Sequence, residues 1–597
     1  MKHLLTGNEA IARGAWEAGV VLASAYPGTP SSEILENISR YSDIYSEWAP
    51  NEKVALEEAL GASIAGGRSI CAMKHVGLNV AADPFFSFGY TGVNAGCVIV
   101  SADDPGLHGS QNEQDNRYYA RMAKVACLEP SDSQEAKDFV LLGMEISERF
   151  DIPVLLRITT RIAHSKSLVE LGDRVTPPVR EPEMNPAKYS LTPDRARRPH
   201  YEVEKRLKRL REFAEVFPYN RIEWGDRSLG IITSGISYQY AREVFGESAS
   251  YLKLSLTHPL PENLIRSFAS QVERVIVIEE NEPYLEEYVR ALGIPARGRD
   301  LLPAVDELSP TVLERSLSGF IPHVFGGKTE SGAGSAQQTA TDVQVPARPP
   351  VLCAGCPHRG FFYILRKLNP KGHLIVTGDI GCYTLGGAPP LNSIDTCICM
   401  GASITVAHGM DKVLKGSRRL VAVIGDSTFL HQGMTGLLEV TYNRSNVTVC
   451  ILDNGTTAMT GHQNHPGSGA DIFGRPAPRV DLIEIAKALG VKDVFVVDPY
   501  DLTSTESELK KALSASGANV VISRRPCIFV RTEPTPPPFE VSRDACRNCR
   551  ACLKLGCPAI EPIEGGVRIN ASLCAGCGMC GQVCRFGAVR KAGGHCG

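Results

Sequence analysis

Short apolar runs rich in β-branched residues recur through the first 185 residues, each followed by a Gly/Ala-rich stretch with helical spacing. VVLASAYPG, RSICAMKHVG, GCVIVSADD and IPVLLRITT have the pattern of strands, and NEKVALEEALGASIAGG that of a helix. Continuous apolar strands alternating with helices predict a parallel sheet covered on both faces. A charged helical stretch, EVEKRLKRLREFAEVF, then leads into a smaller α/β segment carrying GIITSG and RVIVIEENEPYLEEYVRAL, over 186–325. Residues 326–349 are small, polar and Gly/Ser/Thr-rich, the composition of a linker. A third α/β segment spans 350–535, with strands expected at HLIVTGD, RLVAVIGDS, VTVCILDN and VVISRRP. The segment TEPTPPPFE separates it from a cysteine-rich tail, 536–597. No short-period repeat is evident, but two large α/β segments of similar size flank a smaller one.

Length sharpens this picture: 597 residues correspond to about three to five domains. A hydrophobic content of 43% with 22% charged residues is that of an ordinary globular chain. A net charge of −3 leaves no electrostatic footprint for nucleic acid. No apolar run approaches the ~20 residues that span a bilayer, and the start MKHLLTGNEAIARGAW has no apolar core of a signal peptide. Only three of the 19 cysteines (Cys71, Cys97, Cys127) precede residue 350. Thiol chemistry concentrated so far from the start implies a reducing cytoplasm and an anaerobic setting.

Two cysteine runs dominate the tail. Cys546, Cys549, Cys552 and Cys557 are spaced C-x2-C-x2-C-x4-C-P, and Cys574, Cys577, Cys580 and Cys584 are spaced C-x2-C-x2-C-x3-C. This is the pattern of a two-cluster bacterial ferredoxin, in which the last cysteine of each run ligates the other run's cluster. One 4Fe–4S cluster is therefore expected on Cys546, Cys549, Cys552 and Cys584, the other on Cys574, Cys577, Cys580 and Cys557. Zinc knuckles need only four ligands in all. Two departures stand out: the extra residue in the first run, and Arg585 where proline commonly follows.

In the third segment a strand ends in Gly425-Asp426-Ser427, and about 25 residues later another ends in Asp453-Asn454. Both ends fall at the carboxyl edge of a parallel sheet, where such sheets bind ligands. Gly425 lets backbone approach a ligand closely. Asp426 and Asn454 offer the hard oxygens that suit Mg²⁺ shared with phosphates, and the Thr456 carbonyl could complete the set. The bland reading is an Asp at a helix start and an Asn in a turn. In the first segment, Glu52 opens the helix NEKVALEEALGASIAGG. A first-turn carboxylate is also what the helix dipole favours, and Glu57 and Glu58 stand close by.

GDS…DN resembles the diphosphate-binding motif of thiamine diphosphate enzymes, and NEKVALE resembles the surroundings of their catalytic glutamate. With Tyr26-Pro27-Gly28-Thr29-Pro30, MKHVGLNVAADP, Cys353-Ala354-Gly355-Cys356-Pro357-His358-Arg359 and GDIGCYTLG, the whole chain resembles the 2-oxoacid:ferredoxin oxidoreductases, and within them the alpha subunit of the indolepyruvate branch. The fold implied is α/β: two thiamine-diphosphate-binding-type parallel-sheet domains (pyrimidine type, 1–185; diphosphate type, 350–535) flanking a smaller transketolase-C-terminal-like domain, plus a two-cluster ferredoxin-like domain. Glu52 would set the cofactor's active tautomer, and Thr29 would bind the substrate carboxylate. Arg117 and Arg121 are both candidates for the arginine that assists it. Gly425, Asp426, Ser427, Asn454, Thr456, Met459 and His75 would line the cofactor, Met459 standing where the pyruvate branch has an asparagine. Cys353, Cys356, Cys382 and Cys527 fall where the wider superfamily places a third cluster; the alternative is a structural C-x2-C pair plus two buried thiols. Cys397 and Cys399 read as core.

The activity implied is oxidative decarboxylation of an arylpyruvate such as indolepyruvate to its aryl-acetyl-CoA and CO2, with electrons leaving through clusters to ferredoxin. Thiamine diphosphate, Mg²⁺ and CoA are the implied cofactors and co-substrate, and a beta subunit the implied partner. The alternatives are a non-oxidative decarboxylase and an electron-transfer subunit with inactive thiamine-type domains.

Overall fold

The computed structural model describes residues 2–178, 180–182, 185–191, 197–321, 350–532 and 534–592. The expected linker, 326–349, lies outside the described residues. The chain divides into two compact units, 1–344 and 345–597.

The first unit is built on a seven-stranded sheet in the order Leu256–His258, Ala126–Leu128, Val154–Thr159, Cys97–Asp103, Ser69–Lys74, Leu22–Ala25, Tyr45–Trp48. All its pairings are parallel except that of Leu256–His258 with Ala126–Leu128. The central strands Ser69–Lys74, Cys97–Asp103 and Val154–Thr159 are buried throughout, the pattern of a sheet covered on both faces. Glu52–Ile64 forms the expected helix, started by the Asn51 side chain accepting from the Val54 amide. The charged stretch forms the helix Arg197–Ala214.

A second sheet in this unit has five strands, Ala296–Arg297, Val275–Ile278, Gly230–Ser234, Ser250–Leu254 and Arg221–Glu223. Residue 185, the expected boundary, does not separate the two sheets. After making three strands of the smaller sheet, the chain returns to edge the larger one with Leu256–His258. An ion pair reinforces that joint: buried Arg117 meets Glu279 as well as Asp115, and nearby Arg157 meets Asp103 and Glu129.

The second unit has an all-parallel six-stranded sheet, Thr396–Cys397, Leu374–Gly378, Arg419–Gly425, Val447–Asp453, Asn519–Arg524, Asp493–Val497. The cysteine-rich tail adds two hairpin-like pairs, Phe539–Val541 with Val589–Lys591 and Ile560–Ile563 with Gly566–Ile569. Tail and sheet share one core: Phe361, Phe362 and Leu365 cluster with Leu555, Ile560 and Met579. Gly360 permits this contact, since a Cβ there would stand 2.0 Å from the Pro499 carbonyl oxygen and 2.9 Å from Met579 Sδ.

Candidate functional site

In the first unit the carboxyl edge of the large sheet gathers the chemistry. Thr29 lies in the turn after Leu22–Ala25, and Lys74 ends the neighbouring strand level with Ala102. Glu52 follows the strand Tyr45–Trp48 as the first residue of its helix and is buried. Its carboxylate lies against Gly77, where an added Cβ would come within 2.7 Å of Oε1. Of its neighbours, Glu57 is half exposed beside Lys53. Burial, followed by repulsion from Glu47, pushes the Glu58 carboxyl up to about 8. His75 is fully buried, with Nε2 3.1 Å from the Asn112 carbonyl oxygen.

Arg117 is not placed to meet a substrate. It is 1% exposed, and its guanidinium donates to Asp115, Glu279 and the Glu280 and Glu282 carbonyls. The sequence could not show this, because three of those partners lie 162 to 165 residues away. Arg121 is exposed in the last turn of the helix Arg117–Ala123.

Lys74 was missed by motif reading. It is buried, and its Nζ donates to the Gly109 carbonyl at 2.5 Å. Burial outweighs the nearby Asp104 and Glu52 and lowers its pKa to about 8. Gly28, of the YPGTP turn, faces its side chain: a Cβ at 28 would stand 3.1 Å from Lys74 Cβ. A lysine at the end of an otherwise apolar strand was the available signal.

In the second unit Asp426 is 3% exposed where Arg419–Gly425 ends. Its Oδ1 accepts from the Ser427 amide at 2.9 Å and its Oδ2 from the Gly455 amide at 2.8 Å, with His465 Nε2 3.3 Å from Oδ2. Burial pushes this carboxyl up, but His465 and the two amides outweigh it and hold it below the usual carboxylate range. Ser427 and Thr456 are buried beside it, and Thr457 Oγ1 donates to Ser427 Oγ at 2.8 Å. The helix after Asp426 opens into a π-helical turn, Phe429–Gly433, a distortion frequent at functional sites.

Gly425 has a different reason from the one its motif suggested. A Cβ there would meet the Tyr383 ring at 2.5 Å, so the space is filled by protein rather than reserved for a ligand. Tyr383 in turn donates to Thr428 and to the Ile380 carbonyl. Asn454 is buried, and its carbonyl accepts from the Cys527 amide at 3.0 Å, tying the Asp-Asn turn to a cysteine. Met459 is half exposed.

Cys353, Cys356, Cys382 and Cys527 come together. Burial pushes the Cys356 thiol up to about 12, with Cys382 and Cys353 adding to it. Cys382 rises to about 11 from burial, then Cys527 and Cys353. Cysteines whose ionised forms would repel one another suit a cation that takes them as thiolates. Cys397 and Cys399, expected in the core, are exposed. Cys397 ends the edge strand Thr396–Cys397, only two residues long, and Cys399 follows it.

The tail encloses two cavities. One is lined by Cys546, Cys549, Cys552 and Cys584, the other by Cys557, Cys574, Cys577 and Cys580. Each quartet mixes the runs, as the crossed ferredoxin pattern expects. Beyond burial, Cys552 is raised by Cys584, Cys549 and Cys546, and Cys580 by Cys577, Cys557 and Cys574. Among the described residues no three His, Cys, Asp or Glu are gathered as for a single metal ion; these quartets surround cavities instead. No helix among the described residues is long and apolar enough to cross a membrane.

Comparison with known proteins bears on both units. Residues 13–211 match the family described as pyruvate flavodoxin/ferredoxin oxidoreductase, thiamine diP-binding. Residues 379–523 match the thiamine pyrophosphate enzyme, C-terminal TPP binding domain. The chain is 41% identical to the indolepyruvate oxidoreductase subunit IorA of Archaeoglobus fulgidus, over 99% of this chain and 98% of that one. It is likewise 41% identical to the protein of that name from Pyrococcus horikoshii, over 99% and 97%. The 2-oxoglutarate synthase subunit KorA of Archaeoglobus fulgidus is 25% identical over 47% of this chain and 88% of its own.

Proposed function

The chain belongs to the indolepyruvate oxidoreductase subunit IorA family, and on that premise we propose that its substrates are arylpyruvates, oxidatively decarboxylated to aryl-acetyl-CoA and CO2. It is a thiamine-diphosphate-dependent 2-oxoacid oxidoreductase subunit. The observation that carries the finer reading is in the second unit. One compact body holds the Asp426/Asn454 edge, the four cysteines beside it and the two quartets of the tail. A decarboxylase without electron transfer has no use for that arrangement.

Thiamine diphosphate, when bound, supplies a nucleophilic carbon and an electron sink. Asp426 and Asn454 supply oxygens for Mg²⁺, with the Asp426 carboxyl already held ionised. Glu52 is the acid–base group of the first unit, and it is buried at the start of its helix. Thr29 and the Lys74 ammonium, rather than Arg117, are the groups offered to the substrate carboxylate. Each tail quartet would hold one 4Fe–4S cluster, a group that supplies single-electron chemistry, for which low potentials of about −400 mV are typical in ferredoxins. Cys353, Cys356, Cys382 and Cys527 hold a third. A smaller beta subunit and CoA complete the reaction in the cytoplasm.

The test is anaerobic reduction of a viologen dye by the purified protein with its co-expressed partner. Reduction that requires both arylpyruvate and CoA supports the reading, and CO2 release without dye reduction overturns it. Iron and sulfide quantitation separates two clusters, about eight irons per chain, from three, about twelve.

A further inference from the structure

Arg359 has no anionic partner of the ordinary kind. It is 2% exposed, within the apolar core shared by sheet and tail. Its guanidinium donates to three carbonyls: Leu555 at 2.8 Å, Cys353 at 3.1 Å, and Leu352. Among the described residues no carboxylate pairs with it. Burial works most strongly against its charge, and the ionisable groups that most favour that charge are cysteines, Cys557 first, then Cys356, Cys577 and Cys353. Its Nε is buried and makes no hydrogen bond. The side chain also lines the cavity of Cys557, Cys574, Cys577 and Cys580, together with Gly355 of the CAGC loop.

A guanidinium keeps its charge in any protein, and a buried charge without a counter-ion is strongly unfavourable. An iron–sulfur cluster on four thiolates carries net negative charge. It would supply what Arg359 lacks, and its sulfurs would accept from the unpartnered Nε–H.

We propose that Arg359 is the fixed counter-charge of the cluster on Cys557, Cys574, Cys577 and Cys580, raising its reduction potential and making it the entry point for electrons into the tail. This rests on the cluster-bearing reading above. The step is a one-electron reduction: the cluster gains one electron and one unit of negative charge, no bond forms or breaks, and no proton is required. The electron comes from oxidation of the 2-oxoacid and leaves to ferredoxin. A nearby fixed cation favours the more negative, reduced state. The guanidinium also joins the Cys353 loop to Leu555, holding the CAGC segment against this cluster. Among the described residues the other quartet has no such partner: Arg547 and Arg550, which line its cavity, are exposed, so solvent screens them.

The experiment is an EPR-monitored redox titration of the anaerobically purified holoenzyme and its Arg359→Met, Arg359→Gln and Arg359→Lys variants, with iron counted in each. Loss of charge should make reduction of one tail cluster at least tenfold less favourable. That is a fall of about 59 mV for a single electron. The other cluster should hold its midpoint, and the lysine variant should stay near wild type. Either neutral variant with full iron and unmoved midpoints overturns the proposal. If both neutral variants lose about four irons, the lysine variant decides: retention shows that charge is required, and loss shows that Arg359 serves only as shape. Wild-type protein without iron would instead refute the cluster reading itself.

Discussion

Lys74 ties charge to pH at the scale of a single residue. Its pKa falls from 10.5 to about 8, chiefly through burial, with Asp104 and Glu52 the carboxylates that face it. Two consequences run in opposite senses. Between pH 8 and 10.5 the unfolded chain holds the proton that the folded chain has released. Stability therefore gains from this group as pH rises through that window, and bears the full penalty below pH 8. Substrate binding should weaken over the same window: KM for arylpyruvate should rise up to about tenfold per pH unit above 8. In Lys74→Arg, whose charge persists, that rise should disappear, as steady-state kinetics at fixed ionic strength would show. Glu52→Gln should lower kcat by about 10²–10⁴, the range for a lost acid–base group, with far-UV circular dichroism unchanged. Gly77→Ala probes the same carboxylate from the other side. Its Cβ would displace the Glu52 side-chain end, so turnover should fall several-fold with little loss of thermal stability.

At the scale of elements, the two cysteine runs fold alike despite different residues. Asn548 and Arg550 adopt left-handed backbone in the first run, and Gly576 and Gly578 do so at the matching places of the second. The glycines differ in their room. A Cβ at 578 would find Phe539 at 3.5 Å, whereas one at 576 would stand 2.6 Å from the Pro536 carbonyl oxygen. Gly578→Ala should therefore cost only the left-handed strain, about 1–2 kcal/mol. Gly576→Ala should cost more, or lose iron, because backbone must shift. Urea melts of the iron-loaded chain would rank them. The central strands of both large sheets were legible because residues buried on both faces must be apolar throughout. Strands such as Leu256–His258 and Thr396–Cys397 were not: two or three residues carry no period, and only their neighbours make them strands. The exposed Cys397 and Cys399 were misread for the same reason, since cysteine is commonly a core residue and the sequence does not show which sheet edge is left open.

Across the whole first unit, buried Arg117 ties the large sheet to Glu279 of the smaller one, while buried Arg157 pairs with Asp103 and Glu129 within the larger. Removing one cation leaves carboxylates buried and uncompensated, so Arg117→Met should destabilise by about 3–5 kcal/mol. Calorimetry would measure it, and at temperatures well below the melt the KM for arylpyruvate should stay near wild type if Arg117 has no substrate role. Motif spacing marked the cysteine quartets and the Asp426/Asn454 pair as candidates, because metal and phosphate chemistry demands particular donors at short separations along the chain, and resemblance to thiamine diphosphate enzymes marked Glu52. Which of several plausible groups is free to act was decided only in three dimensions. Arg117 is neutralised by Asp115 and Glu279, Gly425 is filled by Tyr383, Lys74 is buried against Gly28, and Arg359 is left facing thiols. Each depends on partners brought from distant parts of the chain, and a buried charge takes its role from the opposite charge that burial sets beside it.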